Sequence, residues 1–132
     1  MNDKLSWMLE DALNMPEARH AILLSADGLL KAHSAGISRD EADKHAAALA
    51  GLQSLSRSTA EFCADPQSPW RQTLVEFADG YVLITAAGPG AYLAVSSTHG
   101  VDLEVVSFRM HKLVDRLGKE LTSPPRRGTA SV

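Results

Sequence analysis

Five histidines and a single cysteine are the side chains here with the most obvious chemical capacity. His20 and His33 flank an apolar segment, and His45 sits in an alanine-rich stretch. His99 falls in a turn sequence and His111 among charged positions. No two of them make a His-x-x-x-His pair, and none is spaced from Cys63 as metal ligands are. The histidines are therefore expected at the surface or partly buried, with no metal site. Cys63 would need a neighbouring base to act as a nucleophile. It falls near the C-terminal end of an expected helix, where the negative end of the dipole makes a poor home for a thiolate. Packing at a helix end is its expected role.

Other catalytic signatures are missing from the chain. There is no Gly-x-Ser-x-Gly elbow for a serine nucleophile. There is no Gly-x-x-x-x-Gly-Lys-Ser/Thr loop, so binding and hydrolysis of a nucleoside triphosphate is not expected. Gly88-Pro89-Gly90 has the glycines of a phosphate cradle, but proline removes the central donor and a hairpin turn accounts for the segment. Asp102 and Glu104 open a helix, where the macrodipole favours acids without any catalytic role. The Arg126-Arg127 pair is too small for a nucleic-acid or membrane tail. The chain is read as a non-enzyme with no catalytic, cofactor-binding or metal-binding residue.

Composition supports one soluble domain. The chain has 132 residues, 45% of them hydrophobic and 22% charged, enough to bury a core and too apolar for disorder. A net charge of -3 leaves no electrostatic footprint for nucleic acid. Apolar runs such as Ala21–Leu24 are far too short to span a bilayer, so no direct membrane insertion is expected. Met1–Trp7 lacks the order of a signal peptide, and a lone cysteine suits a reducing cytosol. A cytoplasmic location follows, with any membrane association acting through partners.

The elements that must carry these residues are legible. Leu5, Met8, Leu9, Ala12 and Leu13 at helical spacing predict a first helix, capped by Asp3 and stopped by Pro16. Two strands follow, His20–Ser25 and Leu29–Ser34, joined at Asp27-Gly28 by a turn whose favoured form needs positive φ at both central positions. Ser38 with Glu41 is a capping box for a second helix running to about Phe62. That helix carries two apolar stripes: Ala42, Ala46, Leu49 and Gln53, and then Ala48, Leu52, Leu55, Thr59 and Phe62. One stripe suffices for a surface helix. Two imply burial on two sides, one of them against a partner. After a Pro-containing loop, strands over Trp70–Phe77, Tyr81–Ala87 and Ala91–Ser96 form a meander through Asp79-Gly80 and Gly88-Pro89-Gly90. A last amphipathic helix starts near Val101 and buries Leu103, Val106, Met110, Leu113, Val114, Leu117 and Leu121. Residues 122–132 are expected to be a disordered tail after a domain over 3–121.

This order, αββαβββα, resembles the roadblock / dynein light chain family in its bacterial branch. The resemblance is carried by Ala21–Leu30, by the small-residue second helix, by Glu76–Leu83 with the meander behind it, and by Met110, Leu113, Val114 and Leu117 of the last helix. It spans about Asp3 to Leu121 and departs at Glu17-Ala18, where many members carry a glycine before the first strand. It implies an α/β (α+β), profilin-like fold: a five-stranded antiparallel sheet with one long helix on one face and two helices on the other.

The resemblance also implies dimers made by pairing the second helix, here about Arg39 to Phe62, with the neighbouring edge strand, here Trp70 to Phe77. The expected interface is Ala48, Leu52, Leu55, Thr59 and Phe62 on the helix, with Trp70, Gln72 and Leu74 on the strand. Bacterial members resemble partners of small Ras-like GTPases, and some are encoded beside a sensor kinase. The expected function is a homodimeric adaptor that binds such a GTPase and modulates its nucleotide cycle or location, with a sensor-kinase complex as a further partner. A passive scaffold and a small-ligand sensor are the alternatives.

Overall fold

The computed structural model describes residues 3–122. In chain order it has α1 (Asp3–Ala12), β1 (Ala18–Ser25), β2 (Leu30–His33), α2 (Arg39–Arg57), α3 (Ala60–Cys63), β3 (Gln72–Phe77), β4 (Gly80–Ala86), β5 (Ala91–Thr98) and α4 (Leu103–Thr122). The expected tail lies outside the described residues except for Thr122, which closes α4. The strands form one antiparallel sheet in the order β2-β1-β5-β4-β3, so β1 and β5, distant in sequence, are neighbours near its centre.

Alternation along the strands builds two cores from one sheet. In β1 the four consecutive residues Ala21 to Leu24 are all buried, because both faces of this strand are covered. Ala21 and Leu23 join Leu9 of α1 and Val106, Met110 and Leu117 of α4 on one face. Ile22 and Leu24 join Ala42, Ala46 and Ala50 of α2 on the other. Each fully buried leucine contributes roughly 1.5–3 kcal/mol. The expected arrangement of one long helix opposite two others is the one observed, with the single-turn α3 added beyond α2.

Both long helices start at side-chain caps. The Glu41 amide donates to Ser38 Oγ at 3.2 Å and the Ser38 amide to Glu41 Oε1 at 3.3 Å, which completes the capping box of α2. Asp102 Oδ1 accepts from the amides of Glu104 at 3.0 Å and Val105 at 3.4 Å, so α4 starts at Leu103, two residues later than expected.

Three local expectations need correction. α2 ends at Arg57, short of Phe62. The hydroxyls of Ser56, Ser58 and Thr59 donate to the carbonyls of Leu52, Leu55 and Ser56, offering the backbone an alternative to the helical ladder. The first Asp-Gly turn is a three-residue loop over 26–28. The Gly28 amide donates to the Ser25 carbonyl at 3.0 Å, and only Gly28 has positive φ, 87°. At Asp79-Gly80 no residue has positive φ at all. Glycine is required there because a Cβ at Gly80 would collide with the Ser97 carbonyl oxygen of β5.

Candidate functional site

The two stripes of α2 meet different surroundings. Ala42, Ala46 and Gln53 are buried against the sheet and Leu49 is half-buried, as the inward stripe requires. On the outward side Ala48 and Gly51 are exposed, Leu52 is half-buried and Leu55 is 68% exposed. A Cβ at Gly51 would meet nothing within 4 Å. Leucine is costly to leave in water at this degree of exposure, whereas small neighbours allow a second backbone to approach closely.

Beside this wall lies an apolar groove of about 350 Å³. His45, Leu49 and Leu52 of α2 form one side, and Val75 and Phe77 of β3 with Val82 of β4 form the other. At the groove's floor His20 and Ser96 face each other in register across β1 and β5, and His20 Nδ1 and Ser96 Oγ have no hydrogen-bond partner among the described residues. The outer edge of β3 is open among the described residues, where this strand pairs only with β4. Unpaired amides and carbonyls of an edge strand are a template for another strand.

The far end of α2 is pinned to the start of β3. The Arg57 guanidinium lies 4.7 Å above the Trp70 ring centroid and donates to Tyr92 Oη at 3.0 Å and to Gln53 Oε1 at 2.8 Å. Trp70 meets Tyr92 edge to face at 5.8 Å and donates from Nε1 to Thr73 Oγ1 at 2.9 Å. This cluster fixes the spacing between α2 and the edge strand.

The eight expected interface residues are distributed unevenly over this surface. Ala48, Leu52 and Leu55 lie along the outward side of α2. Thr59 and Phe62 fall beyond the break that ends it, and Phe62 is 96% exposed on α3. Trp70 precedes β3 and is half-buried under Arg57 within its own protomer. Gln72 and Leu74 are exposed on β3, but Leu74 is paired with Leu83, which belongs to the α1–α4 core, so these two residues face away from α2. The strand residues on the α2 side are Thr73, Val75 and Phe77. A strict period of two from Val75 would have selected them.

The remaining reactive side chains are engaged singly. His33 Nδ1 lies 2.8 Å from the Ser34 carbonyl, and His111 Nδ1 lies 2.7 Å from that of Ser107. His99 stacks on Tyr81 at 5.5 Å and reaches Glu76 at 3.2 Å. Cys63 is exposed at the end of α3. Glu41 is held below the usual carboxylate range, first by the Ser38 backbone N–H and then by the Ser38 hydroxyl. Among the described residues no three His, Cys, Asp or Glu side chains converge as a metal site requires, and no helix is long and apolar enough to cross a membrane.

Comparison with known proteins places this geometry. Residues 5–97 match the family described as Roadblock/LC7 domain. The crystal structure of a Roadblock/LC7 domain from Streptomyces avermitilis is 32% identical, with a TM-score of 0.82, over 89% of this chain and 98% of that one. Myxococcus xanthus MglB is 20% identical, with a TM-score of 0.78, over 92% of this chain and 97% of that one. Acanthamoeba castellanii profilin IB shares the fold at 16% identity and a TM-score of 0.63, over 88% of this chain and 98% of that one. No curated protein matches the sequence.

Proposed function

The chain belongs to the Roadblock/LC7 domain family, and from that premise we propose that it is a non-catalytic homodimer that binds a small Ras-like GTPase and modulates its nucleotide cycle or location. The observation that carries the self-association is the continuity of two unpartnered surfaces. The outward side of α2, with Ala48, Gly51 and Leu55, adjoins the groove and the open edge of β3. A two-fold related copy would set α2 against α2 and β3 against β3, an isologous contact in which each copy covers the other's edge. Thr59, Phe62 and Trp70 would border this contact, and Val75 and Phe77 would line it.

The GTPase as partner rests on the resemblance to the bacterial branch. Stimulation of hydrolysis would work by remodelling the GTPase's own catalytic loops, so no arginine of this chain is given a catalytic role. A sensor kinase encoded alongside would be a further partner, and the cytoplasm is the setting in which these proteins would meet.

The test mixes the chain with small Ras-like GTPases of the same organism and measures complex formation by light scattering and GTP hydrolysis by phosphate release. A complex that contains the dimer and the GTPase, with an altered rate, supports the proposal. Tight binding with an unchanged rate leaves a passive scaffold, and the absence of any complex overturns it. The unpartnered His20 Nδ1 and Ser96 Oγ at the groove floor favour one second reading, a small-ligand sensor. Metabolites that raise the melting temperature of the wild type, but not of Ser96→Ala, would support that reading.

A further inference from the structure

On the opposite face of the sheet from α2 lies a second concavity, a groove of about 450 Å³ between α1 and α4. Val105, Arg109, Lys112 and Arg116 recur along α4 at steps of four, three and four, so they share one flank of the helix. Phe108 stands beside this flank at 61% exposure, and Trp7 projects from α1 at 62%. Phe108 lines the groove and Trp7 stands by Arg116 at its margin, so exposed aromatic surface of the kind that marks an interaction site borders the concavity.

The charge around the patch is one-sided. Three cations line the groove against one acid, Asp11, and that acid is already held by Arg116 at 2.9 Å. The Arg116 guanidinium also lies 5.7 Å from the Trp7 ring centroid. Lys112 reaches only the Phe108 ring, at 5.2 Å, and Arg109 has no hydrogen bond or ion pair among the described residues. Among the described residues two cations therefore have no ion-pair partner beside an apolar floor, in a protein whose net charge is negative.

We propose that the α1–α4 groove docks an acidic amphipathic helix of a partner protein. Its apolar side would lie on Trp7, Val105 and Phe108, and its carboxylates would meet Arg109 and Lys112. A concave apolar floor suits a helix laid in a groove, whereas a membrane surface would be met by a convex patch. The segment after Thr122 does not fit the role, since it carries Arg126 and Arg127, which the groove's cations repel. The site lies on the far side of the sheet from the proposed dimer contact, so the two do not compete and either can fail alone.

The probe is a capped, fluorescently labelled helical peptide with leucines on one face and glutamates on the other, titrated into the full chain and followed by anisotropy. Saturable binding is expected, falling roughly tenfold or more with Arg109→Glu/Lys112→Glu and weakening as salt is added. Both positions are exposed, so thermal melting of the double variant should match the wild type. A second variant, Trp7→Ala, should weaken binding without changing its salt dependence. Equal binding of a peptide with lysines for glutamates or serines for leucines overturns the proposal. So does unchanged affinity in the double variant, or no binding to the acidic peptide. Sedimentation with phosphatidylserine–phosphatidylcholine vesicles, without peptide binding, overturns it in favour of an anionic membrane.

Discussion

The Arg57 guanidinium lies over the Trp70 indole at a centroid distance of 4.7 Å, and through this contact the last turn of α2 holds the start of the edge strand. The same guanidinium donates to Tyr92 Oη, so one side chain joins α2, the loop before β3, and β5. The two residues are thirteen positions apart, separated by exposed loop and α3.

The Arg57–Trp70 pair should show measurable coupling. A double-mutant cycle of Arg57→Ala and Trp70→Leu, followed by urea unfolding, should return about 0.5–2 kcal/mol. Arg57→Lys should keep part of this, because an ammonium retains the charge but loses the planar fork that reaches Tyr92 and Gln53 together.

Leu55→Glu should convert a dimer into a folded monomer. Leu55 is mostly exposed within the protomer, so a carboxylate there leaves the core untouched while setting two like charges against each other across a two-fold contact. Light scattering should report half the mass with an unchanged circular dichroism spectrum. A wild type already monomeric at high concentration would remove the basis for the dimer.

Gly80→Ala should destabilise strongly for its position at a hairpin turn. No positive φ is involved, so the cost comes from the Cβ meeting the Ser97 carbonyl oxygen, and the β4–β5 ladder must shift to admit it. A loss of about 1–3 kcal/mol or more in denaturant unfolding is expected. Gly90→Ala should act by a different route, since φ of 67° strains any L side chain although a Cβ there would meet open space.

Acid should weaken the N-terminus of α2 through Glu41. Its folded-state pKa lies below the unfolded value because Ser38 hydrogen-bonds the carboxylate. Its stabilisation is therefore present above the usual glutamate range and is lost as pH falls through the lower, folded-state value. Glu41→Gln retains an acceptor for the capping box and should flatten this part of the stability–pH curve, measured by thermal melts from pH 3 to 7.

Much of the fold was legible because its signals are local. Ser38 with Glu41, the apolar run Ala21–Leu24 and the stripe from Val106 to Leu117 each act over a few residues, and each appears where expected. The end of α2 was not legible from its apolar spacing, because Leu55, Thr59 and Phe62 keep helical period across the break. What stops the helix is three hydroxyls competing for carbonyls. On β3 the resemblance names a strand without saying which of its faces meets the partner, whereas pairing decides the side of the sheet, and Leu74 opposite Leu83 points away from α2. The Arg57–Trp70–Tyr92 cluster brings together three remote segments, and nothing in residue spacing announces it.

The pairing of β1 with β5 also sets a clock for synthesis. Ala18 meets Ser97 and Ser25 meets Ala91, so the long, apolar open edge of β1 has no partner until nearly the whole sheet has left the ribosome. At roughly 5–20 residues per second, this strand waits several seconds with only the short β2 beside it. During that interval the apolar edge of β1 is uncovered, and β5 is the segment whose arrival closes it.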